Sequence, residues 1–150
     1  MSDLTIRRAA RADIPAIAAL LADDFIGAAR EGALLAEYEA GFDAVEADSN
    51  QLLAVAESGG AVVGTMQLSF IPGLSRGGAW RGHVEAVRVA SKRRGQGIGE
   101  AMMAWAVARC REKGCVLCEL TSDKRRDGAH RFYDRLGFEA THLGYKKMLA

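Results

Sequence analysis

The stretch RVASKRRGQGIGEAMMAWAVARCREKG, residues 88 to 114, sets Gly95, Gly97 and Gly99 behind a run of cations, Lys92, Arg93 and Arg94. A segment with apolar residues at helical spacing follows at once. Glycine at the mouth of a helix is costly unless the chain must turn sharply or be approached closely. The first turn of a helix presents unpaired N–H groups and a partial positive charge, so an anion seated there gains several hydrogen bonds and a dipole contribution of about 0.3 to 1 kcal/mol. Basic side chains alongside can hold further phosphate oxygens. The expected ligand is a pyrophosphate, bound by the backbone from Gly95 through Gln96, Gly97, Ile98 and Gly99 to Glu100, with Arg94 beside it. Spacing narrows the choice. A Walker A loop needs G-x-x-x-x-G-K-[ST], but Gly99 is followed by Glu100 and Ala101. A dinucleotide fingerprint needs G-x-G-x-x-G, and counted from Gly95 its last position is Glu100.

The elements that would position this loop can be read on either side of it. HVEAVRVAS, before the loop, reads as a strand, and GIGEAMMAWAVARCREKG as a helix with Ile98, Ala101, Met102, Trp105 and Ala108 on one face and Gly114 as its stop. CVLCELTS then reads as a strand, GAHRFYDRLG as a short helix and FEATHLGYKKML as a final strand. Upstream, LTIRRA has the alternation of a short strand. RADIPAIAALLADDF reads as a helix with Ile14, Ile17, Leu20, Leu21 and Phe25 on one face, Asp13 as its N-cap and Pro15 in its first turn. GALLAEYEAGFDAVEADSN reads as a second helix weakened by Gly41. QLLAVAES and AVVGTMQLSFI, parted by Gly59 and Gly60, form a hairpin, and PGLSRGGAWRG is a glycine-rich loop. The order β, α, α, β, β, β, α, β, α, β predicts an α/β domain spanning residues 1–150. Its sheet is antiparallel in its first half, with a right-handed parallel crossover in its second.

Composition limits the function classes. A hydrophobic fraction of 49% and a charged fraction of 26% are those of a globular protein, and a net charge of +1 gives no global reason to expect nucleic acid. The run SDKRRDGAHR is interrupted by aspartates and carries no aromatic stacking platform. The N-terminus has no apolar stretch of signal or spanning length, so the expectation is a cytoplasmic protein with no membrane partner. Cys110, Cys115 and Cys118 are odd in number, which argues against a disulfide framework. Three residues apart in a strand, Cys115 and Cys118 should face opposite ways, and no histidine pattern completes a ligand set, so no metal is expected.

Arg94, Gly97 and Gly99 fit R-x-x-G-x-G directly after a strand. In this the chain resembles the GNAT superfamily of N-acetyltransferases, whose pyrophosphate loop is written [QR]-x-x-G-x-[GA]. AHRFYDRLGFEA is similar to the family's later helix and strand, and the opening with two helices and a hairpin matches as well. The resemblance covers nearly all of residues 3 to 149. It implies a mixed, mostly antiparallel sheet of six to seven strands flanked by about four helices, with a V-shaped splay between the two central strands.

The same resemblance implies that acetyl-CoA, the cosubstrate, lies in that splay. Its pantetheine arm would bond the backbone around Val87, Arg88 and Val89, with the Val87 N–H polarising the thioester carbonyl. Transfer to an amine needs a free lone pair on nitrogen, and Glu85, on the strand lining the cleft, is the candidate base, with His83 as the alternative. Tyr133 matches the family's frequent tyrosine acid, which protonates the departing thiolate. The family often places an asparagine at the start of the later helix, contacting the cofactor; here the nearest polar residue is Asp127. The implied acceptor is a primary amine of a small metabolite, with a protein or peptide amine, or a non-catalytic acyl-CoA sensor, as alternatives. A homodimer is the implied assembly, although Lys146 and Lys147 could guard an open edge.

Overall fold

The structure, a computed structural model, describes residues 3–32 and 34–150, apart from the side chains of Phe25, Ala29 and Arg30. Two sequence expectations touch what is left out. Ala33, the second residue of the predicted second helix, and the side chain of Phe25 lie outside the described residues. Five strands form one sheet in the order β1-β2-β3-β4-β5: β1 (Thr5–Arg8), β2 (Gln51–Ser58), β3 (Ala61–Ile71), β4 (Trp80–Val89) and β5 (Cys115–Leu120). The first four are antiparallel neighbours, and β5 runs parallel to β4. The helices are α1 (Ile14–Ala22), α2 (Phe25–Arg30), α3 (Leu35–Ala47), the single turn α4 (Ser75–Gly78), α5 (Ile98–Glu112) and α6 (Asp127–Arg135).

The sheet separates two apolar layers. On one face Ile14 and Ile17 of α1 and Phe42 of α3 pack on Val55. On the other, Ile98, Met102, Met103 and Ala106 of α5 pack on Ala54, Met66, Leu68 and Val84, with Phe132 and Tyr133 of α6 against them. Burial of each such aliphatic side chain contributes about 1.5 to 3 kcal/mol. The β2–β3 hairpin turns through Gly59 and Gly60 at φ 58° and 78°, the conformation that demands glycine at both positions.

Three expectations are corrected. The sheet has five strands among the described residues, because 138–150 joins no ladder. That segment runs past the end of β5, where a Cβ on Gly144 would lie 3.9 Å from Thr121. Without a paired edge its alternation of residue types cannot make a strand. There are also six helices among the described residues rather than about four: α2 follows where the first predicted helix ends, and the single turn α4 forms in the predicted glycine-rich loop. Asp24 separates α2 from α1 by accepting from the Gly27 N–H and so capping α2. The break requires glycine at 27, where a Cβ would sit 2.0 Å from the Leu21 carbonyl oxygen. Finally, Cys115 and Cys118 do not face opposite ways. A register shift between Trp80 and Arg81 inserts a residue into β5, and both thiols pack on the α5 side around Cys110. Asp13 sits at the predicted N-cap position of α1, yet its carboxylate turns back to the Ala10 N–H and to Arg7 at 2.8 Å.

No helix of the described residues is long and apolar enough to cross a membrane.

Candidate active site

The site begins where β4 outlasts its parallel neighbour. The last registered pair is Val84 with Leu120, so Glu85 to Val89 carry a backbone edge with no β5 partner. Within this edge Ala86 takes φ 53°, a left-handed conformation costing a non-glycine residue about 1 kcal/mol or more, and the ladder to β3 slips there. The slip reorders the side chains. Leu53, Gln67 and Glu85 line up across β2, β3 and β4, and Val55, Thr65 and Arg88 form the next row on the same face. A regular strand would have put Glu85 and Arg88 on opposite faces; the extra residue brings them to one. Val87 and Val89 turn to the α5 layer.

At the end of β4 the chain makes a short turn through Ser91–Arg93 and enters α5 through Gly95 and Gly97, at φ 75° and 79°. Gly97 is the N-cap of α5, and no side chain caps it, so the first N–H groups of the helix are free of a capping oxygen. Gly99 lies against α6: a Cβ there would come within 3.3 Å of the Phe132 ring. The Ile98 side chain is buried in the core, so only its backbone can serve a ligand. Gln96 accepts from Arg93 Nε at 3.0 Å, and Arg93 also reaches Ser58 Oγ at 3.1 Å, which ties it to the sheet. Arg94 stays at the mouth, its Nε 3.4 Å from the Val89 carbonyl oxygen. Glu100 is exposed on the first turn of α5.

On the opposite wall, Asp24 bridges two arginines. Its carboxylate accepts from Arg126, the residue before α6, and lies 3.5 Å from Arg88 Nε, with all three side chains largely buried. Burial alone would push this carboxyl up. The hydrogen bonds from Arg126 and Gly27 and the charges of Arg126 and Arg88 overcome that and hold it at about 2. Tyr133 stands within the field of both arginines. Burial pushes its phenol above the usual range, against the pull of the two cations, so it keeps its proton at neutral pH.

The structure thus brings Arg88 and Tyr133 together with Asp24 and Arg126, which sequence reasoning missed. The available signal was the Asp23-Asp24 pair interrupting the apolar spacing of the first helix. Glu85 is exposed at the start of the unpaired edge. His83 shares its face but turns toward Glu119 on β5, with Nδ1 at 4.0 Å. Asp127 is exposed at the first residue of α6, and Arg126 rather than Asp127 reaches the cleft. Among the described residues no group of three or more His, Cys, Asp or Glu side chains is arranged to hold a metal.

The chain as a whole is similar to known proteins. A curated relative, the aminoalkylphosphonate N-acetyltransferase of Salmonella typhimurium, is 36% identical over 109 residues, covering 73% of this chain and 70% of its own. The glucosamine 6-phosphate N-acetyltransferase of Trypanosoma brucei brucei is 37% identical over 81 residues, covering 54% of this chain and 53% of its own. A solved structure described as a transcriptional regulator from Bacillus halodurans superposes with a TM-score of 0.94 at 42% identity, over 97% of this chain and 99% of that one. The model of the acetyltransferase (GNAT) family matches residues 14–138, and the chain belongs to that family.

Proposed function

We propose that the protein transfers the acetyl group of acetyl-CoA to the primary amine of a small molecule, by direct attack in a ternary complex. The observation that carries this reading is the unpaired edge Glu85–Val89 running straight into the Gly95–Gly97 turn and the bare start of α5. An extended amide-bearing arm can add to such an edge as a strand does, while a diphosphate takes the helix N–H groups. Arg94 supplies charge beside the diphosphate. The relatives named above are both N-acetyltransferases of small amines by name, which supports a small acceptor.

In this reading the amine lone pair attacks the thioester carbon and the carbonyl oxygen becomes an oxyanion, for which the Val87 N–H is the donor. Glu85 takes the proton the amine must lose, directly or through water. The C–S bond then breaks, and Tyr133 gives its phenolic proton to the thiolate. Arg88 and Arg126 hold a positive field around Tyr133 that favours the anionic transition state over the neutral reactants.

Thermal unfolding with acetyl-CoA, CoA, NAD or ATP at matched concentrations tests the cofactor. A ligand at about 100 times its dissociation constant adds roughly 2.7 kcal/mol, which raises the midpoint by several degrees. Only the CoA species should do so; stabilisation by NAD or ATP and not by CoA overturns the reading. The Bacillus halodurans structure favours a second one, an acyl-CoA sensor, which binds the cofactor equally well and transfers nothing to any amine.

We also propose a homodimer. In residues 139–150, Leu143, Tyr145, Met148 and Leu149 are exposed to between 78% and 93%, and β5 leaves one sheet edge open. The opposite edge, β1, is guarded by Arg7 and Arg8, paired with Asp13, Glu57 and Glu46. Each copy therefore offers one apolar arm and one unguarded edge, which a twofold exchange satisfies. Light scattering should find a dimer at micromolar concentration and a monomer for Tyr145→Glu with Leu149→Glu; a monomeric parent protein sinks the proposal.

A further inference from the structure

A cavity of about 230 Å³ lies between α1, α3 and the sheet, on the face that carries Glu85. Its walls are Ile14, Ile17, Leu21, Tyr38, Phe42 and Leu53. The polar groups on its lining are Glu37 and Gln67, with the Tyr38 hydroxyl donating to Glu31 at 2.9 Å. No arginine, lysine or histidine is among the described residues that line it. Arg11, stacked over the Phe42 ring, is paired with Glu39 and Asp43.

The cavity connects to the candidate base through the sheet register. Leu53 in its floor pairs with Gln67, and Gln67 pairs with Glu85. The backbone of the last lining residue and that of Glu85, whose carboxylate would receive the amine proton, are therefore one strand spacing apart, about 4.8 Å. A short alkyl tether spans that distance.

We infer that this cavity is the acceptor subsite and that the acceptor is a primary amine on an apolar, aromatic or aliphatic, body. The inference rests on the acetyltransferase reading and sharpens it. An apolar recess of this size takes a single ring or a short alkyl chain, with its surface removed from water. Glu37 at the rim and Glu85 beyond it attract an ammonium and repel a phosphonate or phosphate, while Arg88, one row past Glu85 on the same face, has Asp24 as its counter-charge. The charge of this recess thus selects against the anionic acceptors in the names of the two relatives.

Gly41 makes the test clean. It lines the cavity, a Cβ there meets nothing within 4 Å, and it lies inside α3, where replacing glycine strengthens the helix. Gly41→Ala therefore adds a Cβ to the lining without a clash, and Gly41→Leu adds more bulk at the same place. The assay follows CoA release from acetyl-CoA with 2-phenylethylamine, 2-aminoethylphosphonate and glucosamine 6-phosphate as acceptors. The expected result is a kcat/KM for 2-phenylethylamine at least tenfold above that for either anionic amine. Gly41→Leu should raise its KM about tenfold and Gly41→Ala less, with the KM for acetyl-CoA and the unfolding midpoint undiminished. Preference for an anionic amine, or an acceptor KM indifferent to Gly41→Leu, overturns this inference and leaves the acetyltransferase reading standing. Transfer to none of the three amines overturns this inference.

Discussion

Tyr133→Phe lowers kcat by roughly 100-fold, the lower end of what a positioned general acid contributes, and leaves both the unfolding midpoint and the stabilisation by acetyl-CoA in place. The expectation follows from what the ring and the hydroxyl each do. The ring packs edge-on against Phe132, with centroids 5.1 Å apart, and against Phe138 at 5.8 Å, contacts that phenylalanine keeps. The hydroxyl is the part that chemistry would use. Its burial holds the proton on at neutral pH, despite Arg88 and Arg126, so it can donate to a departing thiolate. A KM for acetyl-CoA that stays constant while kcat falls separates an acid from a binding residue. An unchanged kcat removes Tyr133 from the mechanism. In the same assay Glu85→Gln should abolish the acid limb of the kcat pH profile as deprotonation of the amine becomes limiting; an unaltered profile removes Glu85 as base.

Asp24→Ala is expected to destabilise the protein by about 3 kcal/mol at neutral pH, because it leaves Arg88 and Arg126 largely buried without their shared counter-charge. The loss should depend on pH with a definite sign. The Asp24 carboxyl sits at about 2 in the folded protein, against a usual 3.8. A depressed folded value contributes stability that is fully present above about pH 4 and is lost as pH falls through about 2. Chemical denaturation at pH 7, 4 and 2.5 should therefore show the parent and Asp24→Ala converging in stability as the acid is added. Parallel curves across that range would show that the carboxylate carries no linked stability. Asp123 provides the contrast. Hydrogen bonds from the Arg125 side chain and backbone lower its carboxyl too, but the pair lies at the surface, so Asp123→Ala should leave the midpoint unchanged.

Both results bear on one feature, the convergence of the α1–α2 junction, β4 and the start of α6 on a single cleft. Asp24 is distant in sequence from Arg126, and its carboxylate both caps α2 through Gly27 and anchors α6. Removing it loosens the two elements that frame Tyr133. Asp24→Ala should accordingly lower kcat as well as stability, whereas Tyr133→Phe lowers kcat alone.

The features legible from residue order alone are those that depend on neighbours in the chain. Periodicity placed the β2–β3 hairpin, the strand before the glycine loop and the long helix after it, because apolar spacing and paired glycines are local constraints on backbone and burial. Two glycines of the loop were legible for the same reason: Gly95 and Gly97 are needed for their own φ angles. Which side chains meet is a matter of packing and register between distant segments. Gly99, beside its place in the loop, lies against Phe132, far along the chain, which residue order does not show. The slip at Ala86 puts Arg88 on the face of Glu85, and the slip in β5 turns both Cys115 and Cys118 to Cys110; each depends on the register against a neighbouring strand, which no local pattern encodes. The last segment shows the same limit from the other side. FEATHLGYKKML has residues suited to a strand, but a strand exists only where an edge pairs with it, and in a single copy of this chain residues 138–150 pair with none.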